Sequence, residues 1–238
     1  MQKPTTDADR LPRPLPPASP FQLSRREVLK AIAALPGQSA AGMSSWTYEL
    51  IQETVLGCER VLALVVKWFN FLLQGPSPDQ ADCLKNSRMV LLQKATGGLR
   101  PIAVGEAWLR LLGRLVASKT SSNFGDASRP LQVGVGVKGG AENIIHSINL
   151  VREVAVAQAE QDPLDASINC VLTVDFANAF NTIRRLPIFR ALEEGCPSLT
   201  PFFYWAYGKA NNIVRANGVK IAEGSTGVRQ GDPRAAFL

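Results

Sequence analysis

Apolar residues recur at helical spacing between Ser45 and Leu73, where Trp46, Leu50, Val61, Leu64, Val65, Trp68 and Leu72 share one stripe. The stripe predicts a helix capped at its start by Ser44 or Ser45, kinked or split at Gly57, and ended by Gln74-Gly75-Pro76-Ser77-Pro78. The pattern then changes. Ser87–Lys94 and Leu99–Val104 are two apolar runs around Gly97-Gly98, which predicts a β-hairpin. Pro101 offers no N–H, so its strand belongs at a sheet edge. Glu106–Lys119 is amphipathic and helical, with Arg110, Arg114 and Lys119 on its polar side. Leu131–Glu142 reads as a glycine-punctuated strand leading into a helix that reaches about Gln161. Ile144, Ile148, Val151 and Ala155 fall on one face of that helix, and Glu142, His146, Asn149 and Glu153 on the other.

Residues Asn169–Val174 form a short apolar run rich in β-branched side chains, which predicts a buried, central strand ending at the carboxylate of Asp175. Helical segments follow at Pro187–Glu194 and Ser198–Lys209, separated by Gly195-Cys196-Pro197. Asn211–Ala216 and Val219–Ala222 read as a hairpin around Asn217-Gly218. Asp232-Pro233 has the form of an N-cap and first residue of a new helix, Arg234–Leu238, which carries no stop signal. A short helix is expected at Ser24–Ala34, stopped by Pro36-Gly37, behind a proline-rich, extended leader from Met1 to Pro20. The mixture predicts an α+β fold in three regions, 1–44, 45–160 and 161–238.

Composition narrows the partners. The 238 residues are 46% hydrophobic and 19% charged, enough to bury one core or two small ones. The net charge of +6 fits either a polyanionic partner or a merely soluble basic protein. Cys58, Cys83, Cys170 and Cys196 are far apart and His146 is the sole histidine, which argues against structural zinc and fits a reducing, intracellular compartment. The longest apolar run, Val61–Leu73, is interrupted by Lys67 and Asn70 and is too short to span a bilayer, so no membrane is expected. The glycines of 131–142 do not have the spacing of a dinucleotide loop.

Two places carry candidate chemistry. Asp175 at a strand end is either a solvated terminus or helix cap, or a metal ligand held by a rigid strand. Lys94 and Arg100 flank the hairpin turn, either as ordinary surface charges or as a pair aimed at one anion, the arginine holding phosphate bidentately.

Three motifs then come in a fixed order: Arg100-Pro101-Ile102, the Asp-x-x-x-Ala-Phe pattern from Asp175 to Phe180, and Gly227-Val228-Arg229-Gln230-Gly231-Asp232-Pro233. Over residues 45–238 the series resembles the fingers and early palm of a reverse transcriptase of the non-LTR retrotransposon type. The resemblance implies RNA-directed DNA synthesis with magnesium, an RNA template, a DNA primer and deoxynucleoside triphosphates. It implies that Asp175 is the catalytic carboxylate and a metal ligand, with the Phe176 carbonyl as a second ligand. Phe180 would gate the sugar, Lys94 and Arg100 would clamp the triphosphate, and Gln230 and Gly231 would lie against nucleotide and template. Separately from the resemblance, the charged helix face with Arg110, Arg114 and Lys119 is either a track for a nucleic-acid backbone or an ordinary solvated face. A nuclear location follows from the resemblance only. The family's later aromatic-Ala-Asp-Asp element has no counterpart here. The expectation is therefore a reverse-transcriptase-like fingers and partial palm, truncated before the second catalytic palm motif and inactive by itself. A non-catalytic nucleic-acid-binding or interaction module derived from such an enzyme is the alternative.

Overall fold

The computed structural model describes residues 17, 19–75, 81–93, 95, 97–128, 130–134, 137–161, 172–175, 179–229 and 232. The fold is mixed α+β and divides into two compact units. The first takes residues 1–116, 178–236 and 238, and the second residues 117–177 and 237.

The first unit opens with helix α1 (Arg25–Ala33), started by a capping box. Ser24 Oγ accepts the Glu27 N–H, and the Glu27 carboxylate accepts the Ser24 N–H at 2.7 Å. The expected long helix is divided at Gly57 into α2 (Tyr48–Leu56) and α3 (Glu59–Leu73). Its cap is Thr47, not Ser44 or Ser45. Ser45 has φ of +63°, and Ser44 is used elsewhere, its N–H donating at 2.9 Å to the buried carboxylate of Glu106. The polar interruption in α3 has a similar cause. Asn70 accepts the Leu23 N–H at 2.7 Å and donates to the Leu23 carbonyl at 2.9 Å, so one amide satisfies both backbone groups of the residue leading into α1.

After a 3-10 turn at Asp82–Lys85, β1 (Ser87–Gln93) and β2 (Leu99–Gly105) form the expected hairpin, in register from Ser87↔Gly105 to Gln93↔Leu99. Its turn uses Gly97 and Gly98, both at φ +86°. Then come α4 (Ala107–Ser128), α5 (Gly140–Gln161), the single turn α6 (Ala179–Thr182), α7 (Arg185–Gly195) and α8 (Thr200–Tyr207). Strands β3 (Asn211–Val214) and β4 (Lys220–Gly224) form the second hairpin. The sheet order is β2-β1-β3-β4, with β1 parallel to β3 and β2 at an edge, as Pro101 requires.

Helices α1–α3, the start of α4, α7 and α8 supply the core. Trp108 is its aromatic centre, with Trp46, Trp68 and Phe69 set edge-on at 5.2, 5.5 and 6.2 Å. Phe69 and Phe202 are fully buried.

The second unit departs from expectation in two ways. Helix α5 forms, but Ile144, Ile148 and Val151 on its apolar face are 43%, 39% and 47% exposed. The two strands expected here are also not formed over the described residues. Leu131–Gly134 is irregular, and Leu172–Asp175 takes no regular structure and lies outside the sheet, with Leu172 83% exposed. The central, buried Asp175 strand is thus corrected. A β-branched apolar run becomes a strand only where a neighbour offers its backbone groups, and Leu172–Asp175 pairs with no described strand. Asn169–Val171, most of the leader and the helix expected after Pro233 lie outside the described residues.

The division of burial between the units has a measurable consequence. Phe69→Ala is expected to cost about 3–5 kcal/mol in urea denaturation of the full chain, because a fully buried ring leaves a cavity. Ile144→Ala, on a half-exposed face, should shift the same transition by less than about 0.5 kcal/mol. Equal losses would contradict this placement of the core.

Candidate functional site

The first unit gathers its motif residues around a side chain that the sequence patterns do not single out. Arg185 opens α7 and turns its guanidinium onto backbone carbonyls. Its Nε donates to Gly227 at 2.9 Å, Nη1 to Tyr207 at 2.7 Å and Lys209 at 3.2 Å, and Nη2 to Gly224 at 2.9 Å. Burial lowers its pKa to about 10; Tyr207 opposes that shift and neighbouring Arg229 adds to it. The group therefore stays charged at neutral pH.

Tyr207 stands beside it. The Arg185 and Arg229 guanidinium carbons lie 5.4 and 5.6 Å from the centre of its ring. Its hydroxyl donates to the carboxylate of Asp232, a residue that is 9% exposed. Arg229 donates in turn to the Lys85 carbonyl. Lys85 is itself buried, with Nζ 2.6 Å from Asp82 and 5.9 Å from the centre of the Trp205 ring.

These bonds lay the segment from Gly224 to Arg229 across the turn that carries Phe180. The Val228 N–H donates to the Phe180 carbonyl at 2.7 Å, the Gly227 N–H to Ile183 at 3.0 Å, and Thr226 Oγ1 to Asn181 at 3.3 Å. Gly227 has φ of +69°, and a Cβ there would stand 2.4 Å from the Phe180 oxygen. No residue but glycine fits without moving the backbone. The third motif is thereby brought onto the end of the second. It also meets the first. A cavity of about 160 Å³ is walled by Ile102 and Val104 of β2, by Arg110, and by Arg229 and Asp232.

The sequence candidates are placed as follows. Arg100 is exposed on β2 opposite Leu92, near the exposed Leu91 and Leu99. Phe180 is 45% exposed. Asp175 is exposed and belongs to the second unit. Arg110 is half-buried, donates to the Ala40 carbonyl and lies 4.9 Å from the Tyr48 ring centre, so its first role is in packing. Arg114 is exposed and stacks on the same ring at 5.3 Å. Lys94, Phe176, Gln230 and Gly231 lie outside the described residues. Among the described residues no three of His, Cys, Asp and Glu gather as a metal site. No family model matches the chain, and no curated protein does.

Arg185 and Tyr207 escape sequence reading because nothing local marks them. Arg185 follows another arginine in a polar stretch, and Tyr207 sits in an aromatic helix where every ring reads as core.

The close approach at Gly227 is testable against a control. Gly218 also has positive φ, +83°, but faces open space. Gly218→Ala should cost only the left-handed backbone penalty, about 1–2 kcal/mol. Gly227→Ala should cost clearly more in the same urea denaturation, because it adds a backbone clash to that penalty. Matching costs would remove the contact between the two motifs.

Proposed function

We propose that the chain is the fingers and first palm portion of an RNA-directed DNA polymerase of the non-LTR retrotransposon type. The observation that carries this reading is convergence. Ile102, Phe180 and the third-motif residues Val228, Arg229 and Asp232 are remote in sequence, yet the Val228 N–H is bonded to the Phe180 carbonyl, and Arg229 and Asp232 share one cavity with Ile102. In this reading Lys94 and Arg100 hold the triphosphate at the hairpin tip, where Arg100 is exposed. Phe180 presents an exposed ring to the sugar, and Gln230 and Gly231 lie against the base pair. Exposed Asp175 is a hard oxygen donor suited to magnesium, which takes one or two carboxylates and fills its remaining positions with phosphate oxygens and water. The Phe176 carbonyl would be the adjacent donor. When bound, magnesium supplies charge neutralisation at the reacting phosphate.

A second reading is a nucleic-acid-binding module without catalysis. It is favoured by the capture of Asp232 by Tyr207, which commits a motif carboxylate to structure.

Titration of a labelled RNA–DNA hybrid at several salt concentrations tests what both readings share. Affinity should fall as salt rises, and Lys94→Ala with Arg100→Ala should flatten the slope of log affinity on log salt by about one per lost phosphate contact. Arg110→Ala should lower thermal stability more than it changes that slope, given its ties to Ala40 and Tyr48. Binding that ignores salt would remove both readings. Primer extension on an RNA template with magnesium separates them when it is run on the chain extended through an aromatic-Ala-Asp-Asp hairpin, since the chain by itself is expected to be inactive under both readings: synthesis by the extended chain that Asp175→Asn abolishes supports the polymerase, and salt-sensitive binding with no synthesis even then supports the module.

A further inference from the structure

We infer that the cavity shared by β2, the start of α4 and the third-motif residues Arg229 and Asp232 is a binding site for a small neutral aromatic ring carrying one hydrogen-bond donor, phenol being the simplest member of that class. The site asks nothing of Asp175, Lys94 or a nucleotide, so it goes beyond both readings of function.

Size sets the ring. The cavity holds about 160 Å³. A cavity of roughly 150 Å³ with apolar walls takes one benzene. Ala40, Ile102, Val104 and Leu109 supply the apolar wall here. The polar group of the ligand is decided by the charged side chains that also line the space. Glu106 is 2% exposed. Ser44 gives it two bonds, from its N–H at 2.9 Å and from its hydroxyl. Gly42 lets that segment come close, since a Cβ there would stand 2.8 Å from the Glu106 Cα. A carboxylate has about four acceptor positions. Among the described residues no cation pairs with Glu106. A buried charge held by so few donors is costly, and a ligand O–H or N–H offsets that cost. The neighbouring arginines are turned elsewhere. Arg110 donates to the Ala40 carbonyl, and Arg229 to the Lys85 carbonyl. Arg110 Nε has no partner, but it is sealed from solvent and so offers the cavity nothing. Charge settles the rest. A cationic ligand would meet two guanidinium groups, and an anionic one would meet Glu106 and Asp232, so the neutral ring is favoured. Because the walls come from elements remote in sequence, an occupant also stabilises the folded first unit.

Titration of the full chain with small aromatic probes, followed through amide NMR shifts, tests the site. Phenol should shift the amides of Ile102, Val104 and Leu109 with a Kd of about 1 mM, the strength expected of so small a ligand. Fluorobenzene has nearly the same size and no donor, and should bind about tenfold more weakly. Benzylammonium should bind more weakly than benzyl alcohol, its neutral counterpart. Glu106→Gln keeps the shape and removes the charge, and should bring phenol and fluorobenzene within about threefold of each other. Ile102→Phe fills the cavity and should weaken phenol at least about tenfold. Should that variant not fold, the probe series and Glu106→Gln decide alone. No shift at about 20 mM phenol, or shifts that fall outside the lining residues, overturns the inference. Fluorobenzene as tight as phenol, benzylammonium tighter than benzyl alcohol, or a phenol preference untouched by Glu106→Gln each overturns it as well.

Discussion

A half-buried guanidinium joins parts of the first unit that the chain keeps far apart. Arg185 reaches a carbonyl 42 positions later in sequence, at Gly227, and others at the end of α8. The last carbonyls of a helix have no partner inside it, and a cation there is favoured by the aligned peptide dipoles. The carbonyls at Gly224 and Gly227, where β4 gives way to the loop, are satisfied by the same group. Burial disfavours the charge, which is why the pKa falls to about 10, a value that still leaves the group protonated at neutral pH. The path of the loop, the seat of Val228 on Phe180 and the shelter of Asp232 all follow from this capture.

The same logic recurs wherever a polar residue interrupts an apolar pattern. Asn70 lies in the run that forms α3 and serves the backbone of Leu23. Glu106, buried at the start of α4, serves the N–H of Ser44. Each closes a long stretch of chain with bonds that would be costly to leave unmade in the interior. Around them the aromatic centre at Trp108 supplies the apolar burial.

The second unit shows the converse. Helix α5 needs only its own backbone bonds to form, and its periodicity is strong enough to be read directly. Covering its apolar face, or turning Leu172–Asp175 into a strand, requires a partner element, and these described residues stay open to solvent. The chemistry proposed for Asp175 therefore depends on what comes to lie against it, whereas Phe180, Gly227, Val228 and Asp232 are already held by contacts within the first unit.

Local signals in the sequence determined the helix at Ser24, the break at Gly57, both hairpins with their glycine turns, the edge position of the Pro101 strand and the α+β class. Each rests on interactions between residues a few positions apart, so a short window contains all the physics. The sequence also marked the three motifs as a series. Their meeting place was decided by tertiary structure alone, through Arg185, Tyr207 and the glycine at 227, because a hydrogen bond across 42 positions leaves no periodic trace at either end. The Asp175 run marks the limit from the other side. Its composition is that of a strand, but a strand is defined by its neighbour's hydrogen bonds, and composition carries no information about whether that neighbour is in place.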